Sequence, residues 1–87
     1  MRIWFKEMRG THLLRDIVIE DDSEETRTHK VYAALEKACY ELELARPIWL
    51  DQTVKDFKVH ARARFTKDAF VEDVDFDYLE IHVIEED

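Results

Sequence analysis

The chain is poor in the residues that build loops and reactive sites: among 87 positions there is one glycine, one proline, one cysteine and one serine. A lone Gly10 excludes the glycine-rich loops that cradle phosphates. With Pro47 the only proline, most residues are expected in regular structure. Cys39 has no second cysteine to pair with, which suits a reducing compartment. Ser23, the one serine, stands at a place where a helix cap is needed, so a serine nucleophile hardly arises. The opening residues MRIWFKEMRG lack the apolar run of a signal peptide. No stretch approaches the roughly 20 apolar residues of a membrane span, and no lipidation motif is present. A cytosolic, cytoplasmic protein with no membrane partner is the expectation.

Basic residues are also missing from one region. Asp68 to Asp87 contains nine acids and no lysine or arginine, whereas the whole chain has a formal charge of −8, so the remaining 67 residues sum to +1. A nearly balanced body therefore carries a strongly anionic C-terminal segment. What is abundant argues for folding: 46% apolar residues and ten aromatics are too many for a disordered chain. Eighty-seven residues suffice for one domain with one modest core, so residues 1–87 are expected to form a single α+β domain.

Periodicity supplies the elements. Ile3 to Met8 alternates as a strand, Arg9-Gly10-Thr11 is the turn of a hairpin, and His12 to Glu20 is its second strand. That strand places Leu13, Ile17 and Ile19 on one face and Leu14, Asp16, Val18 and Glu20 on the other. The acids of Glu20 to Glu25 suit a helix N-terminus, with Asp22 or Ser23 as cap and Glu25 completing a capping box with Asp22. Val31, Leu35, Ala38, Cys39 and Leu42 then mark a helix running to about Leu44, roughly 30 Å long, with Arg46 at its negative end and Pro47 as its stop. Ile48, Trp49 and Leu50 make an apolar connector anchored in the core. Residues 57–65 fit two periods: Val54, Phe57, Ala61 and Phe65 suit a helix, while Phe57, Val59, Ala61, Ala63 and Phe65 alternate as a strand. Two alanines tilt the balance toward helix. Thr66 starts a short turn, and Val74 to Ile84 is a strand with Leu79, Ile81 and Val83 inward. The expected fold is α+β: a small antiparallel sheet of three or four strands, one long helix and a shorter second helix on one face, in the order ββα(α)β.

Few residues combine into chemistry. Asp73, Asp75 and Asp77 imitate the start of a calcium loop. However, Tyr78 occupies the sixth position, where glycine is needed, and Ile84 the twelfth, where glutamate is needed. As an extended chain the segment would put the three aspartates on one side, leaving weak divalent binding as the most it offers. His12, His29, His60 and His82 stand singly, without the spacing of a zinc site. A Cys39–His82 pair would require His82 to turn from the polar strand face into the core. No catalytic, cofactor-binding or metal-ligating residue is assigned, no cofactor is expected, and an enzyme is the least favoured class.

Binding is the better reading. Trp4, Leu14, Val18 and Tyr78 are candidates for an apolar patch on the second sheet face, and Glu80, Glu85, Glu86 and Asp87 for contact with a cationic partner. The expected function is a protein–protein interaction module, with another protein as partner and a homodimer as one way of covering a sheet edge. The alternative is an acidic nucleic-acid mimic, or a nucleic-acid-associated regulator whose phosphate-binding residues are Lys55, Lys58, Arg62, Arg64 and Lys67. For that basic stretch, internal neutralisation is preferred, with Arg62 and Arg64 facing Asp75 and Asp77 across a hairpin.

Overall fold

The computed structural model describes residues 1–87. The elements are β1 (Arg2–Arg9), β2 (His12–Glu20), α1 (Arg27–Glu41), α2 (Asp51–His60), β3 (Arg62–Thr66), a 3-10 turn at Lys67–Ala69 and β4 (Tyr78–Glu85). All four strands pair antiparallel in the order β2-β1-β4-β3, so the last strand enters the middle of the sheet beside the first. The α+β class holds, with the fourth strand present. No helix is long and apolar enough to cross a membrane.

Strand alternation places the core. Met1, Ile3 and Phe5 from the β1 end, Ile19 from β2, Ala63 and Phe65 from β3, and Leu79, Ile81 and Val83 from β4 all point to one side. There they meet Val31, Ala34, Leu35, Ala38 and Cys39 of α1 and Phe57 of α2. Phe5, Phe65, Leu79 and Ile81 have no solvent exposure. Fully burying a side chain of this size contributes about 1.5–3 kcal/mol, so this single layer between helices and sheet supplies most of the apolar stabilisation. The connector is only partly anchored: Pro47 is buried, the Ile48 amide donates to the Ala69 carbonyl at 2.7 Å and Trp49 packs edge-on against Phe65 and Phe57, but the Ile48 and Leu50 side chains face solvent.

Several boundaries depart from the sequence expectation. The α1 cap is Thr26, whose hydroxyl accepts from the His29 amide at 3.2 Å, and neither Asp22 nor Ser23 serves. The acids ahead of it fold as a loop in which the Asp21 carboxylate accepts the Ser23 amide at 2.9 Å. At the other end α1 stops well before Pro47. Glu43 adopts a left-handed conformation (φ 57°), Leu44 N–H donates to Cys39 O and Glu43 N–H to Tyr40 O, closing the last turn.

The ambiguous 57–65 stretch is both helix and strand. Ala61, also left-handed at φ 52°, caps α2 by donating to Phe57 O and reverses the chain into β3. Phe57 therefore obeys the helical period, and Ala63 and Phe65 the extended one. The strand expected from Val74 begins only at Tyr78. Phe76 turns inward onto Phe70, and the Asp77 carboxylate accepts the Gly10 amide at 2.7 Å. The aspartates 73, 75 and 77 thus lie in a folded loop and do not line one side of a strand.

Candidate interaction surface

Both helices lie on the core side, and no element of the chain covers the opposite face of the sheet. Strand register assembles that face into rows running across β2, β1, β4 and β3. One row is Leu13, Met8, Tyr78 and Thr66. The next is Asp16, Lys6, Glu80 and Arg64, and a third is Val18, Trp4, His82 and Arg62. The apolar members of the outer rows stay accessible, Leu13 being 48% and Val18 38% exposed. The middle row alternates in sign across the sheet.

Its centre is tightly held. Lys6 Nζ lies 2.6 Å from Glu80 Oε2, and Arg62 Nε lies 3.5 Å from Glu80 Oε1. Glu80 is buried although it faces away from the core, because β4 is an interior strand whose neighbours' long side chains close over it. The flanks are less committed. Asp16 accepts the Trp4 indole N–H at 2.8 Å and has no cationic partner. Arg64 stacks 4.3 Å above the Tyr78 ring and has no carboxylate partner. Lys6 also sits 4.2 Å over the Trp4 ring, so the indole is clamped between an ammonium and a carboxylate.

Arg62 lies 3.1 Å from His82 Nδ1. A guanidinium only donates, so Nδ1 accepts and the proton of the neutral ring is on Nε2. Burial, then the charge of Arg62, holds the His82 pKa below its ordinary 6.5. The face therefore presents a neutral imidazole beside Trp4.

The candidates named from sequence separate here. Trp4, Val18, Tyr78 and Glu80 share the open face. Leu14 does not. A β-bulge between Glu7 and Met8 sets Leu13 opposite Met8 and leaves Leu14 lining a cleft of about 460 Å³ with Arg15, Leu42 and Phe76. Met8, Leu13, Asp16 and Lys6 were missed as surface candidates, because only the register of three strand pairs makes them neighbours. No known protein family, no curated protein and no solved structure matches this chain.

The terminal carboxylates are all engaged within the chain. Glu85 lies 3.7 Å from Arg2, and Glu86 accepts two bonds of 3.1 Å from Arg27. Asp87 receives the Lys30 ammonium at 2.7 Å and the N-terminal ammonium at 2.8 Å. Those contacts lower the Asp87 pKa and raise that of the N-terminus.

The basic stretch is divided as well. Exposed Lys55 and Lys58 belong to α2 on the helix side and Lys67 to the 3-10 turn, while Arg62 and Arg64 lie on the open face. Arg62 and Arg64 pair in register with His82 and Glu80; the Asp75 and Asp77 expected opposite them lie outside the ladder. Cys39 and His82 are separated by the sheet. Burial raises the Cys39 thiol to about 11, so it remains protonated and a poor nucleophile.

Proposed function

We propose that this chain is a protein–protein interaction module of the cytoplasm that binds through the open face of its sheet. The observation that carries the reading is the uncovered face itself. Trp4, Met8, Leu13, Val18 and Tyr78 are set around a charged row on it. Aromatic side chains and methionine are enriched in protein interfaces; here they flank a charged row, so the apolar groups would supply affinity and the row would fix register. Trp4 and Tyr78 are already oriented by their cation contacts, so little side-chain entropy remains to be lost on binding.

The nucleic-acid alternatives have less support. A mimic would need free carboxylates where Glu85, Glu86 and Asp87 are each paired, and a phosphate-binding patch would need the divided basic stretch to converge.

A photo-crosslinking residue placed at Val18 tests the reading in cells, with Tyr40, 80% exposed on α1, as the control position. Discrete protein adducts are expected from Val18 and not from Tyr40. Equal labelling from both positions, or none from Val18, would remove the sheet face as the binding surface.

A further inference from the structure

The charged row contains more information than a general affinity for proteins. Read across the sheet it is Asp16, Lys6, Glu80, Arg64, in signs minus, plus, minus, plus. Such a row is antisymmetric about its midpoint, the line between β1 and β4. Turning a second sheet face-down about an axis along that line lays its β3 over β2 and its β4 over β1. Every position in the row then meets the opposite sign. From this geometry we infer that the occupant of the open face is a second copy of this chain. The two copies are related by a two-fold axis that lies in the contact plane, parallel to the strands, between β1 and β4. The inference rests on the sheet face being the binding surface and names its partner.

Under that operator Asp16 meets Arg64 of the second copy, while the Lys6–Glu80 pair of one copy, closed within its own chain, lies over the same pair of the other with opposite signs facing. Each contact is made twice, as an isologous interface demands. The two flank charges that lack an ion partner within one chain, Asp16 and Arg64, thereby acquire one. They lie three strand spacings apart, about 14 Å, too far to neutralise each other within the monomer. In the neighbouring rows the inner positions match and the outer ones are indifferent, Val18 falling over Arg62 and Leu13 over Thr66 of the second copy. Trp4 falls over the neutral His82 of the second copy, and Met8 over Tyr78 of the second copy, pairing sulfur with an aromatic ring.

The competing axis, across the strands through the same row, would place Asp16 on Asp16 and Arg64 on Arg64, and like charges exclude it. The charge order therefore selects one of the two ways in which the face can meet itself with strands aligned. A four-stranded face of this kind is about 14 Å between its outer strands and some 20 Å along β1, roughly 300 Å² of footprint on each copy and below the roughly 800 Å² per partner of a stable interface, so the pairing is weak. The dimer is accordingly concentration-dependent.

Sedimentation of the full chain from about 1 μM to about 1 mM, for wild type, Asp16→Arg, Arg64→Asp and the double variant, tests this assignment. Wild type should dimerise. Each single reversal should weaken association by about 10-fold or more, because each alters two symmetry-related contacts, and the double variant should recover to within about 3-fold of wild type. Circular dichroism establishes that each variant is folded. Should Asp16→Arg disturb Trp4, Asp16→Asn with Arg64→Gln supplies the same contrast by neutralisation, each weakening the dimer and the pair giving no rescue.

A wild type that stays monomeric over the whole range overturns self-pairing. So does a dimer indifferent to the single reversals, or one that the double reversal does not restore. The binding face and its occupant are tested separately. Adducts from Val18 at twice the chain mass support the second copy. Val18 adducts of another mass, with a monomeric wild type, would retain the binding face and discard this partner.

Discussion

The pair formed by Glu7 and Arg15 gives the most demanding test of the energetics. Glu7 is 3% exposed and points to the core side of β1, an unusual place for a carboxylate. It is sustained by Arg15 on β2, which forms two bonds to it at 3.1 and 2.7 Å and a third to the Leu42 carbonyl at 2.9 Å, where α1 ends. Replacing Arg15 by Met strands the carboxylate and frees the helix terminus. Removing one partner of a fully buried pair costs about 3–5 kcal/mol. Here the Arg15 side chain is 52% exposed, so water reaches the remaining charge, and about 2–3 kcal/mol is expected. For a domain of this length that lowers Tm by about 10–20 °C.

Glu7→Leu should cost less, about 1 kcal/mol. Arg15 then keeps its bond to Leu42 and turns its remaining donors to water. Urea titrations at constant salt, followed by circular dichroism, give both values. If Glu7→Leu were the more damaging change, or if Arg15→Met cost under about 0.5 kcal/mol, the carboxylate would not depend on Arg15 and the reasoning would fail.

Other predictions concern pH, backbone and thiol chemistry. Asp87 has a lowered pKa, so its contribution is present above its ordinary 3.8 and is lost as pH falls through the folded value. The N-terminal ammonium has a raised pKa, so its share is present below 8.0 and is lost as pH rises through its folded value. Asp87→Asn should therefore differ most from wild type between those limits, and the gap in Tm should close in acid; a gap independent of pH would contradict this. Ala61→Gly should stabilise the protein by about 0.5–1 kcal/mol, since a left-handed residue with a Cβ is strained and Ala61 has φ 52°. A loss of stability in the same urea titration would show that the methyl group's packing outweighs the strain. Cys39 should react with a disulfide reagent at pH 8 only as fast as the chain opens, since its thiol titrates at about 11. Labelling at the rate of a free thiol would contradict its burial.

Local signals located most elements because they depend on neighbours in sequence. His12–Glu20, the turn at Gly10 and the apolar stripe of α1 can be read directly, since alternation, a lone glycine and a 3.6-residue period are properties of short segments. Boundaries were less legible. Asp22 and Ser23 have the chemistry of caps, but the helix starts where Val31, Ala34 and Leu35 meet the sheet, and that phase selects Thr26. Residues 57–65 satisfied two periods at once, because a helix and a strand pressed onto the same core require similar apolar positions. The left-handed Ala61 that divides them leaves no composition signal. Val74 to Asp77 alternates like a strand yet has no strand to pair with, so Phe76 packs inward instead.

By itself the sequence determined the α+β class, the inward faces of β1 and β4 and the concentration of acids after Asp68, all consequences of local pattern and composition. The bulge in β1–β2 that turns Leu13 outward, and the division of 57–65, were not legible in it. Only the tertiary structure decided what the charges do. Placing β4 between β1 and β3 brings Glu80 to Lys6 and Arg62, and folds Glu85, Glu86 and Asp87 back onto Arg2, Arg27 and Lys30. The same placement creates the row from Asp16 to Arg64 on the uncovered face. Charge acts through distances set by the register of strands far apart in sequence, and neither composition nor periodicity encodes that register.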